Sequence, residues 1–415
     1  MQELSNWISK SRPKVDTHMS SFLTKEIDFA EHNDEVRRLW DAFDRGEAWR
    51  APCHVGGSIS NYLLNPDLNT ERIEFKDLFE SAAVQINVQL EYLRWKAFNL
   101  HCDCEMGVPS SGWQLFIDFQ NSWEATWFGC PIQYHPGLIP DTIEILRENK
   151  EALYDMEDPD PLGAGLVGRG VQFYEETLDR CPSMEYMGAP VLPPVALPGE
   201  GVDGPFLAAY KLRGAENLLM DMLTDEQYYH DLMTFITRNT IRRMKALREY
   251  RWSKRPDSAD RGDYGAQHFF FADDAIAMIS LEHYKEFVYP YHKMILDEIR
   301  PKSGVLVHAC GDATRHFKFI AENLGAMGFD TGFPVDFGWL RQQLGPDVYI
   351  RGGPTVMLIK DGDPNEIDDE VRRIAQSGVL EGGKFVFIAA NNLAPCTPVE
   401  NVSAFYESVR KWATY

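Results

Sequence analysis

The sequence feature that most constrains the fold is a series of short apolar runs that alternate with longer amphipathic segments from Ala51 onward. The runs are APCHVGG, FNLHCDCE, QLFIDFQN, EYMGAPVL, FLAAY, HFFFADD, VLVHACGD, MGFDTGFP, VYIRGGP and KFVFIAANN. Apolar runs separated by amphipathic helices predict βα units and a mainly parallel sheet. About eight strands of this kind favour a (β/α)8 barrel.

Nearly every apolar run ends in polar residues or glycine, and the carboxyl ends of barrel strands converge on one mouth where functional side chains gather. The alternative, a doubly wound open sheet, would place a G-x-G-x-x-G loop after the first strand, but APCHVGGSIS contains only a glycine pair. We therefore expect an α/β fold with a single (β/α)8 TIM barrel over residues 51–415. Apolar residues at helical spacing predict an N-terminal helical extension over residues 1–50. The Pro/Gly-rich segment 188–205 is expected to be a long loop.

Charge and cysteine content restrict the partners and the compartment. The formal net charge of −22 would repel nucleic-acid phosphates and anionic membranes, so we expect no nucleic-acid partner. Seven cysteines at irregular spacing do not indicate a disulfide framework, and a reducing cytoplasm is the expected location. No stretch approaches the roughly 20 apolar residues that span a bilayer, so no membrane partner is expected either.

An imidazole and a thiol follow the apolar run VLVHACGD. Residues two apart on a strand face the same side, so His308 and Cys310 project together, and on a barrel strand that side is the mouth. His and Cys suit Zn²⁺, which takes three protein ligands in catalytic sites. The alternative is a buried thiol beside a core histidine, since free cysteine is among the most buried residue types. Spacing alone leaves both interpretations open.

Carboxylates end two further runs. Asp273 and Asp274 close HFFFADD, and adjacent residues of a strand point in opposite directions, so only one of them faces the mouth. We take Asp273 as the candidate general acid, and the alternative role for this pair is the N-cap of a helix. Asp330 in MGFDTGFP ends a later run and is a candidate substrate-binding residue.

Aromatic side chains are dense between Gly112 and Gly129. Such residues are usually core, but together with neighbouring polar groups they also suit a pocket for a flat aromatic ligand. The candidate substrate-binding residues of this segment are Trp113, Phe116, Trp123 and Trp127.

Several motifs occur together in the second half of the chain. They are KLRGAENLLMD, ISLEHYKEFVYPYHKMI, the His-x-Cys-Gly motif at 308–311, RGGPTVMLIKDGDPNEIDDEV and PCTPVENV. In this order and spacing they resemble the uroporphyrinogen decarboxylase superfamily, and in particular its cobamide-dependent methyltransferase branch. The resemblance implies a (β/α)8 barrel, which agrees with the strand pattern.

The resemblance also implies a metal site. In zinc-dependent methyltransferases of the family, His-x-Cys supplies two ligands and a later cysteine, six residues before a T-P-x-E-N motif, supplies the third. His308 and Cys310 match the first two, but the position six before Thr397 is Asn391, and the nearest thiol is Cys396. Either Cys396 reaches the metal through a rearranged loop, or the third ligand lies elsewhere, or zinc is lost and Asn391 serves as a catalytic hydrogen-bonding group.

The function implied by the resemblance is transfer of a methyl group from a small-molecule donor to a corrinoid (cobamide) cofactor. The chain has no D-x-H-x-x-G motif, so the corrinoid is expected on a separate corrinoid protein that docks at the barrel mouth. The aromatic segment and the altered third-ligand position favour O-demethylation of a methoxylated aromatic compound. The alternatives are a zinc-dependent methylcobamide:thiol methyltransferase, a non-catalytic tetrapyrrole or corrinoid binder, and a porphyrinogen-type decarboxylase. The last is disfavoured because APCHVGGSISNYLL lacks the arginines that hold tetrapyrrole carboxylates in the decarboxylases.

Overall fold

The computed structural model describes residues 27–258, 260–262, 264, 269–299, 301 and 304–415. Most of the predicted N-terminal extension, residues 1–26, lies outside these ranges, and the division of the chain at residue 50 stays a prediction. Among the described helices, none has the length and apolar content needed to cross a membrane.

The described strands form three sheets. The strands are β1 (Trp113–Gln114), β2 (Ile132–Gln133), β3 (Asp141–Thr142), β4 (Glu185–Tyr186), β5 (Ala189–Leu192), β6 (Phe269–Ala272), β7 (Val305–Ala309), β8 (Ala326–Thr331), β9 (Tyr349–Gly352) and β10 (Phe385–Phe387). The main sheet has the order β10-β9-β8-β7-β6, and every neighbouring pair in it is parallel. A side sheet has the order β1-β5-β4, and β2 and β3 form an antiparallel pair.

Single bridges extend the main sheet at both edges. Cys53 pairs in parallel with Phe387 of β10, and Val202 pairs in parallel with Phe271 of β6. The backbone N–H of Asp103 donates to the carbonyl of Cys53 at 2.7 Å, which places the 101–104 segment next in order. The five strands of the main sheet and these three segments occupy the eight strand positions of the barrel wall, which we call staves. The predicted (β/α)8 barrel is confirmed.

Helices connect the strands, because a parallel strand must be followed by a crossover. The α-helices are α1 (Phe29–Asp44), α2 (Ser60–Leu63), α3 (Phe75–Glu80), α4 (Ala82–Asn99), α5 (Trp123–Trp127), α6 (Gly165–Arg180), α7 (Pro205–Arg213), α8 (Ala215–Thr224), α9 (Glu226–Lys254), α10 (Leu281–His283), α11 (Tyr289–Ile299), α12 (Thr314–Leu324), α13 (Phe337–Leu344), α14 (Val356–Asp361), α15 (Pro364–Ile374) and α16 (Val399–Trp412). Short 3-10 turns span Gln120–Ser122, Lys150–Asp155, Cys181–Ser183, Asp274–Met278 and Glu381–Gly383, and π-helical turns span Tyr284–Val288 and Ala375–Val379.

Three of the predicted runs do not form barrel strands: FLAAY, EYMGAPVL and QLFIDFQN, of which only Gln114 lies in a strand, β1 of the side sheet. One barrel segment lies where a loop was expected. FLAAY is part of α7, because Pro205 at its first turn starts a helix readily, and EYMGAPVL forms β4 and β5 of the side sheet. Val202 belongs to the barrel although it lies in the Pro/Gly-rich segment that predicted a loop.

Alternation along the strands separates the helix-facing side of the barrel from its interior. In β7, Val305 and Val307 are buried, whereas Leu306 and His308 between them are only partly buried. In β6, Phe271 is buried while Phe270 is 43% exposed. The buried set packs against the helices, and the other set lines the barrel interior, which carries the candidate site.

A buried ion pair ties the first two staves together. Both terminal nitrogens of Arg50 reach the Asp103 carboxylate, at 2.6 and 2.7 Å, and the side chains of both residues are at most 3% exposed. The carboxylate also accepts the backbone N–H of Cys53 at 2.7 Å and the hydroxyl of Tyr406 at 2.9 Å. These four bonds satisfy the buried charge, so Asp103 has a structural role.

Candidate active site

The carboxyl ends of the parallel strands bring polar residues together at one end of the barrel. Register places Ala272 of β6 beside His308 of β7, His308 beside Asp330 of β8, and Asp330 beside Arg351 of β9. Because His308, Asp330 and Arg351 share one register level, their side chains enter the barrel at the same height.

His308, Cys310 and Asp274 form the centre of the site. His308 Nε2 lies 2.8 Å from Cys310 Sγ and 3.7 Å from Asp274 Oδ1. The backbone N–H of Cys310 donates to the same Asp274 oxygen at 2.7 Å. One donor atom of each of the three residues lies within 4.8 Å of the other two. The structure brings His308 and Cys310 into contact, on the same side as their spacing predicts, and metal binding by the pair stays a prediction.

The imidazole of His308 is held by Asp330. Its Nδ1 lies 3.1 Å from Asp330 Oδ2, and Asp330 Oδ1 lies 3.9 Å from Arg351 Nε. Burial opposes protonation of His308, but its bonds to Asp330 and Cys310 outweigh burial and raise its pKa to about 10. When Nδ1 donates to Asp330, Nε2 is directed toward Cys310 and Asp274, which is how a carboxylate orients a metal-binding histidine.

Asn391 closes the other side of the thiol. It follows β10, and its Nδ2 donates to Cys310 Sγ at 3.0 Å. Its backbone has φ 119°, a left-handed conformation that non-glycine residues seldom adopt. Asn391 therefore occupies the position that the resemblance assigns to a third ligand, and it offers an amide donor to the thiol.

The donor set fits a zinc ion. A neutral imidazole nitrogen, a thiolate and a carboxylate oxygen are the three ligand types that Zn²⁺ takes in proteins, and three protein ligands leave one position open for a substrate. Asp274 supplies a third donor that the sequence motif lacks. Burial raises the pKa of the Cys310 thiol while its bond to His308 lowers it, so a metal would have to displace protons from both side chains.

Asp273, the predicted general acid, lies outside this cluster. Its side chain is fully buried and accepts the backbone N–H groups of Phe206 and Leu207, both at 3.1 Å, at the start of α7. His292 Nε2 lies 3.0 Å from the same carboxylate. Asp273 is therefore a helix cap, the alternative role considered for this pair, and Asp274 is the member that faces the barrel interior.

The aromatic segment is mostly structural. Trp113 and Trp127 are 2% and 1% exposed, and their indole N–H groups donate to the carbonyls of Tyr186 and Asp160. Packing of this kind contradicts the predicted pocket role of these two tryptophans, because a side chain enclosed by protein has no face free for a ligand. Phe116 and Trp123 are half-buried, and the ring of Trp123 lies 4.7 Å from the guanidinium of Arg243.

Cys396 is not brought to the cluster. Its thiol donates to the carbonyl of Leu64 at 3.6 Å, and the residue is exposed. The structure therefore gives no support to the alternative in which a rearranged loop carries Cys396 to a metal.

Sequence reasoning missed two further residues of the site. Phe270, on the interior face of β6, stacks on His308 with a centroid distance of 5.9 Å and an interplanar angle of 27°. Arg351, near the carboxyl end of β9, partners Asp330. Both lie on strands that the sequence does identify, so the alternation of side chains along those strands was the available signal.

The fold and the cluster define a (β/α)8 barrel protein with a candidate active site at the barrel mouth. The family model for uroporphyrinogen decarboxylase (URO-D) matches residues 35–412, and the chain therefore belongs to that family.

The similar proteins include a methyltransferase and a decarboxylase. A methylated-thiol–coenzyme M methyltransferase from Methanosarcina mazei is 27% identical over 211 residues, which are 50% of this chain and 51% of that protein. A uroporphyrinogen decarboxylase from Thermosynechococcus vestitus is 26% identical over 157 residues, 36% of this chain and 43% of that protein. The matches thus span about half the length of these relatives or less.

A solved structure supports the fold over nearly the whole chain. It is a methyltransferase from Methanosarcina mazei with a TM-score of 0.60 and 13% sequence identity, and the match covers 91% of this chain and 98% of that chain. At this identity the similarity is one of fold.

Proposed function

We propose that the protein is a methyltransferase that moves a methyl group from a methoxylated aromatic compound to the Co(I) corrinoid of a separate corrinoid protein. The observation that carries the proposal is the cluster of Asp274, His308 and Cys310 at the mouth of a URO-D family barrel. The methyltransferase among the similar proteins supports methyl transfer as the reaction class.

The ligand set supports an ether as the methyl donor. Asp274 and Cys310 carry one negative charge each when they bind a metal, which balances the two charges of Zn²⁺. Asn391, uncharged, stands where a second thiolate would add a further negative charge. A neutral site withdraws more electron density from a substrate oxygen than an anionic one does, so Lewis-acid action on an ether is favoured over activation of a thiol.

Phe270 supports an aromatic donor. The residue is 43% exposed although it lies on the interior face of the barrel, and its ring flanks His308. An exposed aromatic face inside the barrel is a stacking surface for a second ring. A methoxybenzene stacked there would lie beside the cluster, and this surface replaces the predicted tryptophan pocket.

For this reaction the protein has to position the methyl donor and neutralise the charge that develops on the leaving oxygen. The methyl–oxygen bond breaks, its electron pair stays on oxygen, and the Co(I) of the partner supplies the pair for the new bond to carbon. The leaving phenolate has a conjugate acid with pKa near that of Tyr, about 10, so charge on the oxygen must be neutralised. A zinc ion held by Asp274, His308 and Cys310 would supply a Lewis acid for this purpose.

A zinc-dependent methylcobamide:thiol methyltransferase is the second candidate, and the methylated-thiol–coenzyme M methyltransferase among the relatives favours it. Cys310 would then share the ion with a bound thiol. Porphyrinogen decarboxylation stays disfavoured by the missing arginines after the first strand.

The test is single-turnover methyl transfer. The full chain, loaded with zinc, is mixed with its corrinoid protein in the Co(I) state and with methoxybenzenes, methylated thiols or methanol, and the cobalt spectrum is followed. We expect methylation with methoxybenzenes, and loss of it in Cys310→Ala. Transfer from methylated thiols with no response to any methoxybenzene would replace the proposed donor by the second candidate, and no transfer from any donor would support a non-catalytic binder.

A further inference from the structure

Asp203 lies in the same layer of the barrel as the candidate site. It follows Val202, which pairs with Phe271 of β6, so register places Asp203 beside Ala272 and two staves from His308. Parallel strands lie about 4.8 Å apart, so the two backbones are separated by roughly 10 Å, and inward side chains in a barrel approach each other more closely than this.

The Asp203 side chain is directed toward the interior. Val202 is buried in the core on the helix side, together with Phe271, and successive residues of an extended segment point in opposite directions. The charge of Asp203 also interacts with that of Asp274. Asp203 and the cluster therefore face the same barrel interior.

The carboxyl group of Asp203 has an oxygen that takes no part in the hydrogen bonds of the fold. Its Oδ2 is buried and has no hydrogen-bond partner among the described residues. The buried carboxylates nearby are engaged: Asp273 caps α7, and Glu124 lies 2.7 Å from Arg243 and accepts the backbone N–H of Asp203 at 3.1 Å. A carboxylate oxygen that is buried without a partner is costly when the group is charged, so such a group retains a proton that it can donate.

The surroundings set the proton affinity of this group. Burial, and after it the charge of Glu124, raise the pKa of Asp203 to about 7, while Lys211 and Arg243 lower it and Asp274 raises it. An acid with a pKa near the working pH is half protonated there and is suited to general acid catalysis.

We propose that Asp203 is a catalytic proton donor to the heteroatom from which the methyl group is removed. This rests on the proposed methyl transfer. As the methyl–oxygen bond breaks, its electron pair stays on oxygen, and the proton of Asp203 moves to that oxygen to give a neutral phenol. The Asp203 carboxylate recovers its proton from water when the phenol leaves.

The kinetic test is Asp203→Asn across a series of methoxybenzenes whose phenols differ in acidity. General acid catalysis is worth about 10²- to 10⁴-fold, so we expect a loss of kcat of that size for weakly acidic phenols and a loss that shrinks for nitro-substituted ones. KM should change little. Asp312→Asn, an exposed carboxylate beyond Cys310, is the matched control. An equal loss for every leaving group would indicate a structural role and overturn the proposal.

An infrared titration tests Asp203 without turnover. In the chain without added metal, the wild type minus Asp203→Asn difference spectrum should contain a protonated carboxyl band at pH 6 that disappears as the pH rises through about 7. A carboxyl already ionised at pH 5 would overturn the proposal even if methoxybenzenes are substrates. A band that titrates near pH 7 without methoxybenzene turnover supports the assignment and rejects only the proposed donor.

Discussion

Replacing Asp274 by Asn tests whether this carboxylate, which the sequence motif does not predict, is a metal ligand. Zinc in four-ligand protein sites is held by about 10–16 kcal/mol, so one ligand contributes on the order of 3 kcal/mol. That energy corresponds to a loss of zinc affinity of about 100-fold. Asp330→Asn should cost less, about 10-fold to 100-fold, because Asp330 only orients the imidazole of His308 through the 3.1 Å contact at Nδ1.

The assay is competition for zinc against a chromogenic chelator of known affinity, with unfolding followed in parallel to establish that each variant is folded. Asp312→Asn is the control, because Asp312 lies two residues beyond Cys310 but its side chain is 64% exposed and paired with Arg315. We expect wild-type affinity for that variant. If Asp274→Asn binds zinc within about threefold of the wild type, the ligand role of Asp274 is refuted.

Two further predictions concern stability. Asp103→Asn should lower the free energy of unfolding by about 3–5 kcal/mol, since it removes the close charge partner of the buried Arg50 guanidinium and leaves it only Glu35, at 3.4 Å, and a urea midpoint unchanged from the wild type would contradict this. Trp127→Ala should cost a similar 3–5 kcal/mol by removing a core side chain, while methoxybenzene affinity of the folded protein stays constant; weaker binding at unchanged stability would restore the pocket interpretation.

The strands, and the site residues at their ends, could be predicted from local features of the sequence. The alternation of side chains along a strand put His308 and Cys310 on one face, and the convergence of strand ends put Asp330 and Asn391 near them. These inferences need only the period of a strand and the direction of a parallel sheet, which the sequence carries locally.

The register between distant strands determines which side chains enter the site, and the sequence does not reveal that register. Asp273 and Asp274 are adjacent, and which of them enters the barrel depends on the pairing of Ala272 with His308, a residue from another part of the chain. The core position of Trp127 likewise depends on the distant Arg243, whose guanidinium lies 4.8 Å from its ring. Asp203 was missed because the segment around Val202 is rich in glycine, as loops are, although it forms part of the barrel wall.

The bridge between Cys53 and Phe387 has a consequence for synthesis of the chain. The two residues are about 330 positions apart, yet their staves are neighbours in the barrel. A ribosome adds about 5–20 residues per second, so roughly 20–70 s pass between synthesis of the first stave and synthesis of β10. Throughout that interval the first stave has an unpaired edge, which is a site for pairing with other chains. We expect nascent chains that stop before β10 to associate with chaperones, and full-length chains to be released from them.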